Sequence, residues 1–297
     1  MKDAPILHRI EQIAYLSFRG LVRALPHRAA RPLGRRLGDL GWLVDVRHRR
    51  VAHDNLAAAM PHLDAGERSR LVRRCFRHFG GAVLDTLSSS RFDPVQLCRR
   101  LTLEGWEHVE DAEALGRGVF FLSAHLGYWE IAAYPPGLYG GPLHVVGRPL
   151  DNPHLDRELE RLRRRCGNEV IPKRGAARRM VKVIRERGRV GILIDQRVPE
   201  QEAIEVDFFG RPALTSPLLA RLALRTGAPV VPIFGYGEPR GRYRFVARPP
   251  IEAPQGDDGE AAVHDLTREY MRVTEEEILR APEQWLWMHR RWKGAGC

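Results

Sequence analysis

Apolar residues recur every three to four positions through the first ninety residues and then give way to short, solid apolar runs. The first pattern predicts helices over 4–25 and 29–46, a third from 48 to just before Pro61, and a fourth. Asp64 caps that fourth helix, whose apolar face is Leu71, Val72, Phe76, Phe79, Val83 and Leu87. Beyond Pro94, runs at 101–104, 118–123, 144–147, 190–194, 230–235 and 243–247 alternate with helical stretches at 152–165, 175–187, 216–226 and 263–280. Strand alternating with helix implies an α/β fold with a mostly parallel central sheet covered by helices. The expected organisation is an N-terminal helical layer over 1–92 and an α/β core over 93–297, forming one structural unit. In such sheets ligands bind at the carboxyl ends of the strands.

Charge sharpens the picture of the helical layer. The chain carries a net +11, and its first 100 residues hold 19 basic side chains against nine acidic ones, so nearly all of the excess sits there. All but four of the cations are arginine, the side chain suited to bidentate phosphate and carboxylate contacts. Three readings compete: a nucleic-acid surface, an anionic membrane surface, or the arginine bias of a GC-rich genome. Ile10, Ile13, Leu16, Leu21, Leu33, Leu37, Leu40 and Leu43 interleave with arginine at helical spacing. Such basic amphipathic helices either pack on the rest of the protein or lie on lipid. No uncharged stretch supplies the roughly 20 apolar residues of a membrane span. Glu11, Arg19 and Arg23 interrupt the apolar run at the N-terminus, which also lacks a cleavage site, so it does not read as a signal peptide. The expectation is a cytosolic or peripheral protein. Cys75, Cys98, Cys166 and Cys297 lie far apart with no C-x-x-C pair and read as reduced thiols, with no metal site. Near the C-terminus, Trp285, Trp287 and Trp292 alternate with basic side chains, either as a membrane-interface motif or as tryptophans closing the core.

The strand at 118–123 runs straight into Ala124-His125-Leu126-Gly127-Tyr128-Trp129-Glu130, which places His125 at a strand's carboxyl end. On one continuous helix His125 and Glu130 would point about 140° apart. Gly127 permits a turn between them. With that turn, Glu130 holds the imidazole in one tautomer and His125 takes a proton from a hydroxyl. Spacing alone does not select this pair, because His62/Glu67, His108/Glu113 and His264/Glu269 share it. The strand-end context does. The sequence has no G-x-S-x-G elbow, no phosphate loop and no H-E-x-x-H helix. G235-Y-G-E-P-R-G leads into a strand and not a helix, which disfavours a dinucleotide site. A His–carboxylate pair without an activated Ser or Cys suggests direct, base-assisted attack by a substrate hydroxyl.

Two further groups stand at strand ends: Arg148 and Asn152 after 144–147, and Asp195 with Gln196 after 190–194. Arg148 suits a phosphate or carboxylate, and Asp195 could orient an arginine or the substrate. The plainer alternatives are a helix cap for Asn152 and a surface ion pair for Asp195. The basic stretch 157–165, with Arg164 and Arg165 at its end, is an anion-binding wall or a solvated face.

Taken in order, the blocks S-A-H-L-G-Y-W-E, R-P-L-D-N-P-H-L-D, G-I-L-I-D-Q-R, F-F-G-R-P-A-L-T-S-P and P-E-Q-W-L-W-M-H-R-R-W-K resemble the lipid A biosynthesis late acyltransferases. The early V-D-V-R-H-R-R-V-A-H-D-N-L-A-A-A-M-P also resembles that family, so the likeness covers nearly the whole chain. It implies a glycerolipid-acyltransferase-like fold and an enzyme on the cytoplasmic face of a bacterial inner membrane. Such an enzyme moves an acyl chain from an acyl carrier protein thioester to a hydroxyl of a glycolipid, foremost a lipid A precursor, with no cofactor. It also implies that His125 is the general base and Glu130 its partner. The family's later basic and acidic positions correspond to Arg148 or the 163–165 run and to Asp195; these, with Asn152 and Gln196 beside them, are the expected substrate contacts. Many members carry a membrane-spanning helix where this chain has arginine-interrupted amphipathic segments, which points to peripheral attachment. A nucleic-acid-binding protein and a thioesterase-like hydrolase are the alternatives from other classes, and the family reading expects no nucleic acid partner.

Overall fold

The computed structural model describes residues 4–132, 134–147, 150–164, 167–172, 175–254, 256 and 259–292. Four helices open the chain: α1 (Ala4–Ala24), α2 (His27–Val44), α3 (Val46–Ala59) and α4 (Ala65–Ser89). Asp64 caps α4 through a reciprocal capping box with Glu67, as its position ahead of the apolar stripe predicts. The α2–α4 crossing is close because glycines meet there. A Cβ on Gly34 would lie 2.2 Å from the Gly80 carbonyl oxygen, and one on Gly80 would lie 2.3 Å from that of Gly34.

After α5 (Pro94–Cys98) the α/β region follows. Its order is β1 (Leu101–Glu104), α6 (Glu107–Ala114), β2 (Val119–Ser123), α7 (Trp129–Ala132), α8 (Tyr134–Tyr139), β3 (Leu143–Gly147), α9 (Pro153–Arg163), β4 (Glu169–Pro172), α10 (Ala176–Arg185) and β5 (Arg189–Leu193). Then come β6 (Ile204–Phe208), β7 (Arg211–Thr215), α11 (Leu218–Thr226), β8 (Val230–Glu238), β9 (Arg242–Ala247) and α12 (Glu260–Arg280). Seven strands form one sheet in the order β1-β9-β8-β2-β5-β3-β4. Every neighbouring pair is parallel except β8–β9. The α/β architecture and N-terminal helical region expected from the sequence are therefore present. Strand β4 and the separate β6–β7 hairpin are additions to that expectation.

One apolar core joins the two regions. Leu56 of α3 and Leu71, Val72, Cys75 and Phe76 of α4 pack in the same cluster as Phe120, Leu122, Val190 and Val230 of the sheet. The C-terminal segment completes it. Trp285, Trp287 and Trp292 are at most 8% exposed and pack around Phe208 and Phe209 of the hairpin. The interfacial reading of these tryptophans is thereby overturned, since rings enclosed on all sides have no face left for lipid. Among the described residues, no helix is long and apolar enough to cross a membrane.

Candidate active site at the carboxyl rim of the sheet

Strands β2 and β5 are parallel neighbours with Ser123 opposite Leu193. Two residues farther along each strand stand His125 and Asp195, brought to the same level by that register. Asp195 is 1% exposed and meets His125 twice. One carboxylate oxygen lies 2.9 Å from Nδ1, and the other accepts the His125 backbone N–H at 3.0 Å. The second oxygen also accepts the indole N–H of Trp285 at 2.8 Å. Burial alone would push the Asp195 carboxyl up. The charge and hydrogen bond of His125, together with the other two donors, reverse this and hold it below the usual carboxylate range. An ionised carboxylate only accepts, so Nδ1 carries the hydrogen and Nε2 is the nitrogen left for substrate. Burial likewise disfavours a charged His125, but Asp195 beside it, with a smaller contribution from Glu130, outweighs that and raises its pKa above the ordinary value.

The chain turns sharply past His125. Gly127 has φ +61°, and a Cβ there would lie 2.0 Å from the Gly235 carbonyl oxygen, so no other residue fits without displacing β8. Three contacts fix the turn: Gly127 N–H to the Gln284 carbonyl, Tyr128 N–H to the Gly235 carbonyl, and the His78 ring to the Gly127 carbonyl. The turn forms as Gly127 suggested, but it does not bring Glu130 onto the imidazole Nδ1. Arg163 holds Glu130 bidentately, through Nε at 3.0 Å and a terminal nitrogen at 2.7 Å. The residue that orients His125 is Asp195, seventy positions away, because strand register delivers it with its backbone already aligned.

The other expected site residues separate. Asn152 caps α9 by accepting from the N–H groups of His154 and Leu155, and it donates to the His8 carbonyl and Glu11 of α1. Its side chain thus caps α9, the plainer of the two expectations for it, and also tethers α1. Arg164 is exposed and pairs with Glu160 one turn back, so it forms a solvated face, while its neighbour Arg163 reaches the rim. Gln196 follows Asp195 and is half-buried. Arg148 and Arg165 lie outside the described residues. Sequence reasoning missed Trp285 as a site residue and His289, whose Nε2 accepts the Arg197 backbone N–H at 3.3 Å and whose charged form burial disfavours. The usable signal was chemical: a buried strand-end aspartate needs donors beyond one histidine.

Two apolar clefts meet at Trp129 and Glu130. The inner one, about 80 Å³, lies against the sheet and is lined by Phe121, Leu143, Val145, Ile192 and Ile233, with Arg163 at its edge. The outer one, about 270 Å³, runs between α1, α4 and α9 and is lined by Tyr15, Phe79, Val83, Leu155, Leu159 and Leu162. An imidazole whose second nitrogen has no hydrogen bond among the described residues, beside Trp129 where two apolar clefts and an Arg–Glu pair meet, has the parts for proton transfer next to apolar substrates. Among the described residues, no group of His, Cys, Asp and Glu could hold a metal ion.

The chain is 29% identical over 275 residues to the lipid A biosynthesis lauroyltransferase of Escherichia coli K12, covering 92% of this chain and 88% of that protein. It is 26% identical over 272 residues to the lipid A biosynthesis palmitoleoyltransferase of the same organism, covering 91% and 86%. It is 27% identical over 278 residues to the phosphatidylinositol mannoside acyltransferase of Mycobacterium tuberculosis H37Rv, covering 91% and 85%. The family model described as bacterial lipid A biosynthesis acyltransferase matches residues 3–294, and the chain belongs to that family.

Proposed function

We propose that this acyltransferase moves a fatty acyl chain from an acyl carrier protein thioester to a hydroxyl of a membrane glycolipid, most directly a lipid A precursor. The observation that carries the mechanism is the His125–Asp195 pair, with Nδ1 occupied and Nε2 left for substrate. In the proposed step the acceptor oxygen attacks the thioester carbonyl as Nε2 takes its proton. The tetrahedral intermediate collapses, the C–S bond breaks, and the imidazolium returns the proton to the departing thiolate, leaving an ester and a free thiol. Asp195 stabilises the imidazolium, and Glu130 adds negative charge nearby while keeping Arg163 at the rim. Arg163, with Arg148, Arg165 and Gln196 as further contacts, binds the anionic part of the acceptor. The two clefts take the apolar chains, and their depth sets the acyl preference.

Attachment falls to the helical layer 1–92, on the cytoplasmic face of the inner membrane. Ile6, Leu7, Ile10, Ile13 and Leu21 of α1, and Leu33, Leu37, Leu40, Leu43 and Val44 of α2, are each at least 40% exposed. Exposed apolar stripes flanked by Arg9, Arg23 and Arg36 suit peripheral binding to anionic lipid. The mycobacterial relative supports a second reading of the acceptor, a glycolipid other than lipid A, with the same chemistry.

The test incubates wild type and His125→Ala with mixed acyl carrier protein thioesters and a bacterial lipid extract, followed by mass spectrometry. A lipid that gains one acyl mass with wild type alone is expected, and it names donor length and acceptor together. Free fatty acid released without any acylated lipid would replace the transferase reading with a thioesterase.

A further inference from the structure

Four arginines of α4, Arg70, Arg73, Arg74 and Arg77, recur at the spacing that stacks side chains on one helix face. Arg31 and Arg35 of α2 stand opposite, and the six line a groove of about 530 Å³ with His78, Glu283 and Gln284. Asp39 offsets two of them, at 2.7 Å from Arg73 and 3.4 Å from Arg77. Arg31 donates to the Glu238 carbonyl and lies over the Tyr128 ring. Arg35, Arg70 and Arg74 are exposed and make no ion pair among the described residues. Like charges at this spacing repel, so the groove costs stability that a bound anionic partner would recover.

Position and direction narrow the partner. The groove backs onto the catalytic turn: the His78 ring meets the Gly127 carbonyl, and Gln284 both lines the groove and accepts the Gly127 N–H. On α2, Gly34 and Gly38 face α4. At helical periodicity Arg31 and Arg35 lie on one flank of that contact, and Leu33, Leu37, Leu40 and Val44 lie on the other, about 170° away. A bilayer under the apolar flank leaves the arginine groove facing the aqueous side, out of reach of lipid headgroups.

We propose that this groove is the docking surface for the acidic carrier protein that presents the acyl thioester, an inference that rests on the donor reading above. Charge complementarity aligns the two proteins before the acyl chain enters the rim, which places the groove's effect on encounter and not on chemistry.

The test titrates full-length protein with holo acyl carrier protein by fluorescence anisotropy and repeats transfer assays with two donors. These carry one acyl chain on carrier protein or on pantetheine. Wild type should bind in a salt-sensitive way, and Arg70→Glu/Arg74→Glu should bind at least about tenfold more weakly. The control Arg178→Glu/Arg179→Glu on α10, with the same charge change, should stay within about twofold of wild type. With the groove variant, kcat/KM should fall through KM for the carrier-protein donor and stay unchanged for the pantetheine donor, with thermal melting unaltered. Absence of wild-type binding, equal loss in the control, equal loss on both donors, or loss of anionic-vesicle flotation in the groove variant would each overturn the proposal. Salt-sensitive binding through the groove without acyl transfer would uphold the docking surface and remove the donor reading instead.

Discussion

The rim of the sheet and the N-terminal helical layer solve opposite problems. At the rim the carboxylates and the turn are held from within: Asp195 receives three hydrogen bonds, Glu130 is gripped by Arg163, and the Gly127 turn is pinned from three sides. The helical layer leaves its surface unanswered, with eleven large apolar side chains of α1 and α2 exposed and three groove arginines without an ion pair among the described residues. Internal satisfaction holds a site in one geometry, which proton transfer needs. Unsatisfied surface is what a lipid or a protein partner reads. The contrast predicts that substitutions at the rim change the rate of chemistry, whereas those in the layer change where the protein goes and what it meets.

The largest expected effect is at the rim. His125→Ala should lower kcat by about 10²–10⁴ with melting unchanged, measured with a saturating thioester donor. Asp195→Asn should cost about 10²-fold, because an amide in place of the carboxylate no longer fixes the tautomer or stabilises the imidazolium. Trp285→Phe removes one of three donors to Asp195, so its carboxyl should titrate closer to the ordinary range and kcat should fall by about tenfold or less. The smallest effect belongs to the layer. Ile13→Ser with Leu37→Ser should weaken flotation with anionic vesicles by about fivefold per position and leave transfer to a detergent-dispersed acceptor intact. Loss of chemistry in that variant, or loss of flotation in His125→Ala, would break the division.

Much of this fold is written in local pattern. The solid runs at 118–123 and 190–194 become central strands because β-branched, Leu and Phe residues without charges can be buried on both faces. The β6–β7 hairpin was not legible. Its Glu205, Asp207 and Pro212 dilute the strand signal, and its turn places Phe209 at φ +57°, a conformation no common turn motif announces for phenylalanine. The site divided the same way. His125 at a strand end could be read directly, because strand, glycine and helix are contiguous. The carboxylate bonded to its Nδ1 could not, since Asp195 reaches it only through the β2–β5 register, while Glu130 lay close in sequence and satisfied the same chemical requirement. The C-terminal tryptophans show the remaining limit: an alternation of Trp and Arg fits a lipid interface or a core edge, and only the hairpin that encloses them decides.

The central claim is that Asp195, and not Glu130, sets the protonation of the proposed catalytic imidazole of His125, and the pH dependence of kcat/KM tests it directly. A base must be neutral to accept the proton, so activity falls as pH drops through the His125 pKa, and Asp195 holds that pKa above its usual value. Wild type should therefore show an acidic limb above about 6.5. In Asp195→Asn the attraction is gone and burial remains, so the limb should move to lower pH, while in Glu130→Gln it should move by much less. An acidic limb that stays in place in Asp195→Asn and shifts in Glu130→Gln would contradict the account.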